Sequence, residues 1–443
     1  MNGDLVSILD GNTFVVSDGR GDIEGSPSEP TGLFSLDTRY LSRWVMTLDG
    51  QRLTRLSADD LQYYQTRFFL VPGFASHYAD AKVSVIRQRE IGGTLRERVT
   101  ILNHDEKPLR CTLRLEAGAD FADLFEIKDE ALDKKGEYYA RVEPDLLRLG
   151  YHREHFRRET LISSSEPVRL DEQGLSFELD IEAGGEWSTE LLVETKAVGP
   201  GGRDLRMGVH AHGPGRGSLG EDLREWLAAA PSVTCECTAL TMAYERSLAD
   251  LAALRFSPLS LAGQALPAAG LPWFMTMFGR DSILTCLQTL GFTPQLSTTC
   301  LRILAALQGT RFDDFRDEDP GKILHEFRYG ETAAFEDQPH TPYYGAADST
   351  SLFVILLDEY ERWSGDVALV RELEFEAREA LRWIDEYADL MGNGYVWYER
   401  RNTRNGLENQ CWKDSWDSIS YHDGRLPGFP RATCELQGYA YDA

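Results

Sequence analysis

Two aspartates, Asp414 and Asp417, lie three positions apart in the tryptophan-containing stretch NQCWKDSWDSISYHDG. Trp412 and Trp416 place indole rings beside them in the sequence. A carboxyl group next to such rings loses hydration, which raises its pKa towards that of a general acid. Hydrolysis of a glycosidic bond requires one such acid and a second carboxylate that activates water or attacks. The structural alternative is that the aspartates cap a turn and the tryptophans pack in the core.

The stretch LPWFMTMFGRDSILTCLQTL places aromatic residues, among them Trp273 and Phe278, directly before Arg280 and Asp281. An apolar run with helical character follows. A sugar pocket needs flat apolar faces and a fixed fork of polar groups, and this stretch supplies both. The alternative is a helix start, in which Asp281 or Ser282 is the N-cap and Arg280 neutralises Asp281.

Polar groups suited to a pocket also occur in GKILHEFRYGE, which contains His325, Glu326, Arg328 and Glu331. The second histidine of a zinc-binding HExxH motif is absent from it. The chain also lacks a Walker loop, a Rossmann fingerprint and a GxSxG elbow. We therefore predict neither a metal nor a cofactor.

A fourth stretch, PYYGAADSTSLFV, brings Tyr343, Tyr344 and Asp348 to the start of a predicted helix. Asp348 or Ser349 is a natural N-cap for that helix. Because an N-cap at the rim of a loop can also face a ligand, a structural role and a binding role both stay open for Asp348.

The charge balance excludes some classes of partner. The chain has 443 residues, and 72 acidic against 46 basic side chains give a formal net charge of -26. Such a field repels phosphate backbones and anionic lipid, so we expect no nucleic acid and no membrane as partners, and a neutral substrate. No signal peptide and no apolar run of transmembrane length is evident. The seven scattered cysteines are typical of a reducing cytoplasm.

The residue patterns predict a multidomain β plus α chain in three parts. Residues 1–198 contain short alternating strands with turn signals such as Asp49-Gly50, which predicts an antiparallel β-sandwich. Residues 199–230 are expected to form a Gly-rich linker and a connecting helix. Residues 231–443 carry five clear helical patterns and a sixth that begins near the end. Long aromatic loops between these helices predict an α/α toroid with a site at its mouth.

Four motifs, in this order, resemble the bacterial glycogen-debranching, or amylo-α-1,6-glucosidase-like, proteins. They are GLFSLDTRYLSRW, LPWFMTMFGRDS, PYYGAADSTSLFV, and NQCWKDSWDSI followed by CELQGYAYDA. The resemblance covers essentially the whole chain. It implies an N-terminal β-domain joined to an (α/α)6 barrel of the glucoamylase, trehalase and family 63 glycosidase type.

The resemblance also implies roles for individual residues. Arg280 and Asp281 match the pair that grips the sugar ring at the point of cleavage. Asp417 matches the general acid, and Asp414 is the second candidate for that role. The other residues expected in the substrate site are Trp273, Phe278, His325, Glu326, Tyr343, Tyr344, Asp348, Trp412, Lys413 and Trp416.

A complete barrel of this type has twelve helices, and the chain supplies about half of them. The general base of the family lies in the later half of the barrel, so we expect it beyond this chain. The chain is therefore expected to be a truncated member with apolar helix faces left uncovered, which predicts self-association through the incomplete barrel.

The leading prediction is an inverting glycoside hydrolase of the cytoplasm that releases glucose from α-1,6 branch points of glycogen-like glucans. Another substrate of the same barrel type, such as trehalose, mannosylglycerate or an oligosaccharide, stays open because the Arg-Asp pair and the acid loop are common to these barrels. A non-catalytic glucan-binding or regulatory protein is the alternative outside the enzyme class.

Overall fold

The computed structural model describes residues 5–26, 29–73, 82–199, 219–259 and 264–443. The chain divides into two compact units. The first takes its residues from Met1–Leu223 and Arg246–Ala253, and the second from Arg224–Glu245 and Leu254–Ala443. The first unit is mainly β and the second mainly helical, so the predicted order of β before α is confirmed. Residues 200–218 of the predicted linker lie outside the described residues.

Apart from portions of the helices Leu219–Ala229 and Thr238–Ala253, the first unit contains seventeen described strands and one short helix. They are β1 (Val6–Asp10), β2 (Thr13–Ser17), β3 (Ile23–Glu24), β4 (Gly32–Ser35), β5 (Thr38–Leu41), β6 (Arg43–Leu48), β7 (Gln51–Gln62), β8 (Gln65–Pro72), β9 (Val83–Ile91), β10 (Leu95–Asn103), β11 (Leu109–Gly118), α1 (Leu124–Lys128), β12 (Glu137–Glu143), β13 (Leu146–Arg153), β14 (Phe156–Ser164), β15 (Arg169–Asp171), β16 (Gly174–Ile181) and β17 (Glu186–Val198).

These strands form one large and one small antiparallel sheet. The large sheet has 13 strands in the order β12-β13-β14-β17-β10-β9-β8-β7-β6-β11-β16-β15, with β3 beside β6. The small sheet has the order β1-β2-β4-β5, and its strands are buried at nearly every position. The predicted hairpin at Asp49-Gly50 is confirmed, and both residues adopt the positive φ that a tight hairpin turn requires.

A buried ion network lies between strands β9 and β10. Arg87 donates to Asp22 Oδ1 at 2.6 Å and to Glu97 Oε1 at 2.7 Å, and Arg89 Nε donates to Glu97 Oε2 at 2.8 Å. Trp44 donates its indole N–H to the same carboxylate at 3.3 Å. Burial alone would raise the pKa of Glu97, but the two guanidinium groups outweigh burial and lower it.

The second unit consists mainly of helices that pack against one another, with a few short strands. Two helices, α2 (Leu219–Ala229) and α3 (Thr238–Ala253), are divided between the two units. The helices wholly within the second unit are α4 (Arg280–Thr289), α5 (Pro294–Ala306), α6 (Glu331–Ala334), α7 (Asp348–Ser364), α8 (Val367–Glu372), α9 (Glu374–Arg382) and α10 (Cys434–Asp442). The short strands are β18 (Arg255–Phe256), β19 (Leu266–Pro267), β20 (Met277–Phe278) and β21 (Glu326–Phe327). Helix α4 packs against α5 and α7, and α7 also packs against α9 and α10.

Two of the predicted helix starts differ from those observed. The N-cap of α4 is Gly279 and that of α7 is Ala347, and neither makes a side-chain capping bond. The proposed caps Asp281 and Asp348 lie inside the first turns instead. One of the five helical patterns, over residues 366–392, is divided in the structure into α8, α9 and a π-helical turn at Trp383–Tyr387, because Leu373 leaves the helical conformation.

Close packing explains the glycine before Arg280. A Cβ atom on Gly279 would lie 2.1 Å from Leu324 O and 2.9 Å from Ser349 Oγ. The backbone that starts α4 therefore approaches both the loop before β21 and the first turn of α7, and a larger residue would force them apart.

Asp317 joins two loops of the second unit. Its Oδ2 accepts bonds from the Tyr343 hydroxyl at 2.9 Å and from Gln410 Nε2 at 3.0 Å, and its Oδ1 accepts from the backbone N–H groups of Arg401 and Asn402. The loop that contains Asp317 is thereby held to the segment that follows residue 400.

No described helix is long and apolar enough to cross a membrane, and no group of three or more acidic, histidine or cysteine side chains among the described residues is arranged to hold a metal ion.

The buried network predicts a large stability effect at Glu97. Glu97→Gln removes the negative charge and leaves Arg87 and Arg89 without their shared counter-charge. We expect the free energy of unfolding to fall by about 3–5 kcal/mol in denaturant titrations. Asp180→Asn is the control, because its pair with Arg110 is exposed and such pairs contribute about 1 kcal/mol or less. Equal losses in the two variants would contradict the network's role.

Candidate active site

Arg280, the first residue of α4, is the centre of a polar cluster in the second unit. It is 5% exposed. Its Nη1 donates to Asp348 Oδ2 at 3.1 Å and to the carbonyl of Cys411 at 2.8 Å, and its Nη2 donates to Asp414 Oδ2 at 2.6 Å. The guanidinium also lies 5.9 Å from the ring centroid of Trp412. Three of the motifs found in the sequence therefore meet at one side chain.

Asp348 is the innermost member of this cluster. It is the first residue of α7 and is fully buried. Burial raises the pKa of its carboxyl group, and the charge of Arg280 offsets part of that effect. Among the described residues, Asp348 Oδ1 and the nearby His325 Nδ1 have no hydrogen-bond partner. The pair with Arg280 therefore explains the position of Asp348, whereas helix capping does not.

The loop with the two aspartates presents them differently. Asp414 is half-buried and bound to Arg280, whereas Asp417 is exposed. Trp412 and Trp416 are 53% and 67% exposed, so the tryptophans do not pack in the core. The desolvation predicted for Asp417 is absent from this arrangement, because its side chain is open to solvent.

Hydrogen bonds within the loop set its course. Asn409 is buried and donates from Nδ2 to Ser415 O at 2.7 Å. Ser418 Oγ donates to Lys413 O at 2.6 Å. The loop is therefore held by its own polar groups as well as by Arg280.

A cavity of about 560 Å³, which we call the first cavity, opens beside this loop. Residues 412, 413 and 419 of the loop line it, so both ends of the segment with the two aspartates border the same space. Its volume lies within the range of about 300–1,000 Å³ that is typical of small-molecule sites. Its walls combine aromatic, aliphatic and polar groups: Leu284, Gln288, Trp412, Lys413, Ile419, Thr433, Cys434, Glu435 and Tyr439.

Seven of the nine wall residues were not identified from the sequence, and four of the seven form two helical pairs. Leu284 and Gln288 lie four positions apart on α4, and Glu435 and Tyr439 lie four positions apart on α10. This spacing places each pair on one face of its helix, which is the signal that could have found them. Glu435 is half-buried, and its Oε1 accepts a bond from Thr433 Oγ1 at 2.8 Å.

The predicted pocket residues of GKILHEFRYGE bond to protein groups. Glu326 is buried, and its carboxylate contacts Arg328 at 2.7 Å and His340 at 3.2 Å. Burial alone would raise the pKa of Glu326, but the charges of His340, Arg328 and His325 lower it to about 2. His325 packs edge-on against the rings of Phe278 and Tyr343.

Both tyrosines of PYYGAADSTSLFV face inward. The hydroxyl of Tyr343 donates to Asp317 and accepts from the backbone N–H of Leu407 at 2.7 Å. The hydroxyl of Tyr344 donates to Leu307 O at 2.9 Å. In this structure both hydroxyl groups are therefore used by the protein itself.

The aromatic residues before α4 are partly covered. Phe278 is buried in β20, and Arg328 lies 5.4 Å from the centroid of its ring. Trp273 is half-buried, and its carbonyl accepts a bond from Arg328 at 2.9 Å. Asp281 is also half-buried, and the hydrogen bonds of Arg280 go to Asp348, Cys411 and Asp414 rather than to it.

Comparison with protein families gives a match over the first unit. Residues 8–192 match the family model described as the N-terminal domain of (some) glycogen debranching enzymes. The match covers most of the strands of the first unit and less than half of the chain. No curated protein matches the sequence.

Comparison with solved structures indicates the fold of a longer stretch. A protein from the human microbiome, assigned as a kojibiose phosphorylase, aligns over 85% of this chain with a TM-score of 0.51 and 10% sequence identity. The chain spans 56% of that protein's length. A GH92-family glycosyl hydrolase aligns over 86% of this chain and 61% of its own, with a TM-score of 0.34 and 9% identity. At 10% identity, the first alignment shows a similar fold and no more than that.

The cluster around Arg280 predicts a local and a global effect of substitution. Arg280→Met leaves Asp348 buried without its counter-charge, and we expect about 3 kcal/mol or more of stability to be lost. Because Asp414 and Cys411 also lose their donor, limited proteolysis should cut the segment 411–424 faster. Arg302→Met is the control, since its pair with Glu372 is exposed. If segment 411–424 resists protease as well in Arg280→Met as in the unchanged protein, Arg280 does not hold the loop.

Glu326 predicts a pH dependence of stability. Because its pKa is lowered from 4.5 to about 2 in the folded protein, its contribution to stability is complete above pH 4.5 and is lost as the pH falls towards 2. Glu326→Gln should therefore flatten the dependence of the unfolding free energy on pH in this interval. Denaturant titrations at several pH values measure it, and an unchanged slope would contradict the prediction.

Proposed function

We propose that this protein is a glycoside hydrolase that releases glucose from α-1,6 branch points of glycogen-like glucans, on an (α/α)6 toroid. The observation that carries the proposal is the first cavity, whose wall includes Trp412, Lys413 and Ile419; these residues flank Asp414 and Asp417, which do not themselves line the cavity. The match of residues 8–192 to the N-terminal domain of (some) glycogen debranching enzymes supports the choice of substrate.

The walls of the first cavity suit a neutral sugar. The exposed ring of Trp412 offers an apolar face on which a pyranose can stack, and Leu284 and Ile419 extend the apolar wall. Lys413 and Glu435 carry opposite charges, so the cavity favours neither an anion nor a cation. Donors and acceptors are thus available for hydroxyl groups on both sides of a ring.

Asp417 is the proposed general acid. It would protonate the glycosidic oxygen as the bond to the anomeric carbon breaks, while water activated by a second carboxylate attacks from the opposite face and inverts the configuration. Asp414 accepts a charge-assisted bond from Arg280, which suits it better to positioning than to proton donation. No described residue is assigned as the second carboxylate.

Arg280 and Asp281 are proposed to have separate roles. The N–H donors of Arg280 already bond to Asp348, Cys411 and Asp414. We therefore assign Arg280 an indirect role, in which it holds the loop and orients the Trp412 ring towards the sugar. Asp281 is half-buried at the next position of α4 and would accept a bond from a sugar hydroxyl.

Replacement of Asp417 tests the proposal. Asp417→Asn, made in the longest reading frame that contains this chain, should reduce glucose release from a branched limit dextrin about 10²–10⁴-fold, the usual contribution of a general acid. Asp423→Asn is the matched control, because Asp423 lies on the same exposed stretch and pairs with Arg425. Asp414→Asn should also lower the rate, because it weakens the bond to Arg280 that positions the loop. Unchanged turnover in Asp417→Asn would remove the acid assignment.

The products separate the remaining alternatives. Glucose 1-phosphate formed only with inorganic phosphate would indicate phosphorolysis, the activity that the name of the kojibiose phosphorylase implies for that protein. Turnover of trehalose, mannosylglycerate or another oligosaccharide, with no turnover of limit dextrin, would show that the substrate differs from the one proposed. Binding of glycogen without any product would favour a non-catalytic glucan-binding protein.

A further inference from the structure

A second cavity of about 260 Å³ lies in the helical unit and takes no part in the proposed reaction. Its walls include the indole rings of Trp383 and Trp397, the ring of Tyr387, and the polar side chains of Lys322 and Gln410. The π-helical turn Trp383–Tyr387 supplies two of these rings. Turns of this kind are rare and occur frequently at functional sites.

Gln410 lines the cavity, and its side chain has a buried hydrogen-bond acceptor that the described part of the protein does not use. The side chain is 1% exposed, and its Nε2 donates to Asp317 Oδ2 at 3.0 Å and to Glu399 O at 3.3 Å. Because both of these partners can only accept, the orientation of the amide is fixed and Oε1 is its acceptor end. Among the described residues, Oε1 has no hydrogen-bond partner. A buried acceptor of this kind is costly unless a donor reaches it.

The second cavity is lined by four carboxylate side chains, those of Asp319, Glu386, Asp389 and Glu399, and by two cationic ones, those of Lys322 and Arg401. Asp319 accepts bonds from Arg401 at 2.7 Å and from Trp383 Nε1 at 3.0 Å. Lys322 Nζ donates to Asp317 O at 3.0 Å and lies 5.7 Å from the centroid of the Trp383 ring. An anion in the cavity would meet an excess of carboxylates, whereas the hydroxyl groups of a neutral ligand can donate hydrogen bonds to them.

We propose that the second cavity binds a single neutral pyranose ring, with one sugar hydroxyl donating to Gln410 Oε1 and the ring packed against the aromatic wall. The site is distinct from the first cavity and does not depend on the proposed hydrolysis. Its volume is below the range of about 300–1,000 Å³ typical of drug-sized ligands, which suits one ring better than an oligosaccharide. Aromatic faces together with a few fixed polar groups are what a sugar requires.

The two cavities meet at one stretch of chain. Gln410 lines the second cavity, the carbonyl of Cys411 accepts the bond from Arg280, and Trp412 lines the first cavity. A ring that bonds to Gln410 would therefore be held two residues from the wall of the proposed active site.

Glucose is the probe for this proposal, and saturation-transfer NMR or calorimetry at millimolar concentration is the measurement. Trp397→Leu and Phe312→Ala each remove part of the aromatic wall of the second cavity. Each should weaken glucose binding at that cavity by about tenfold, or 1.4 kcal/mol. Phe312 is 61% exposed, so its replacement should leave the fold intact. Trp363→Leu is the matched control, since Trp363 is 64% exposed and lies outside the walls of both cavities.

Trp412→Ala separates the two cavities. Glucose binding that survives Trp412→Ala and is lost in Trp397→Leu supports the second site, whatever the result of the hydrolysis assay. Binding that disappears entirely in Trp412→Ala, or that is unchanged in both Trp397→Leu and Phe312→Ala, overturns it. Glucuronate should bind less well than glucose because its carboxylate meets the excess of acidic side chains, and a preference for glucuronate would also contradict the proposal.

Discussion

The guanidinium of Arg280 is the contact on which the polar cluster of the second unit depends. It is buried and satisfied by two carboxylates and one backbone carbonyl. An arginine can do this because its donors form a planar fork of fixed geometry, whereas a lysine has a single point of charge. One side chain therefore sets the relation between the start of α4, the start of α7 and the loop with the two aspartates.

This arrangement gives the residues of the cluster different tasks. The inner pair of Arg280 and Asp348 is buried and stabilises the packing of the interior, whereas Trp412 and Asp417 remain accessible to solvent. The accessible groups lie on the loop that borders the first cavity. A rigid interior that holds an exposed loop is a common way to position groups that contact a ligand.

The sequence predicts local features well and distant contacts poorly. The turn at Asp49-Gly50 follows from the conformations of two residues, and the existence of α4, α5 and α7 follows from apolar spacing. The strand order of the large sheet could not be predicted, because β10 pairs with β17 and β6 with β11, far along the chain. Asp348 or Ser349 was a candidate N-cap, with a binding role also open for Asp348; in the structure Asp348 lies inside the first turn and forms a buried ion pair with a residue 68 positions away.

In the candidate site too, the motifs could be found from the sequence, whereas the exposure and spatial neighbours of their residues could not. Its motifs identify Trp412 and Lys413, which line the first cavity, and Arg280, whose guanidinium lies near the ring of Trp412. The sequence could not show that Asp417 is exposed, since its hydration depends on where the neighbouring indole rings point. Glu435 was not selected either, because its spacing from Tyr439 places both on one face of a helix but does not show what that face borders.

The buried ion network in the first unit has a consequence for strand alignment. Glu97 of β10 lies directly opposite Arg89 of β9, and Arg87 is opposite Val99. Along both strands, inward and outward side chains alternate, so the three charged groups share the buried face with aliphatic residues. A shift of one residue between these strands would separate the opposite charges and turn one strand's buried side chains towards solvent. The network thus selects one alignment of β9 and β10 among the many that an aliphatic interior would tolerate.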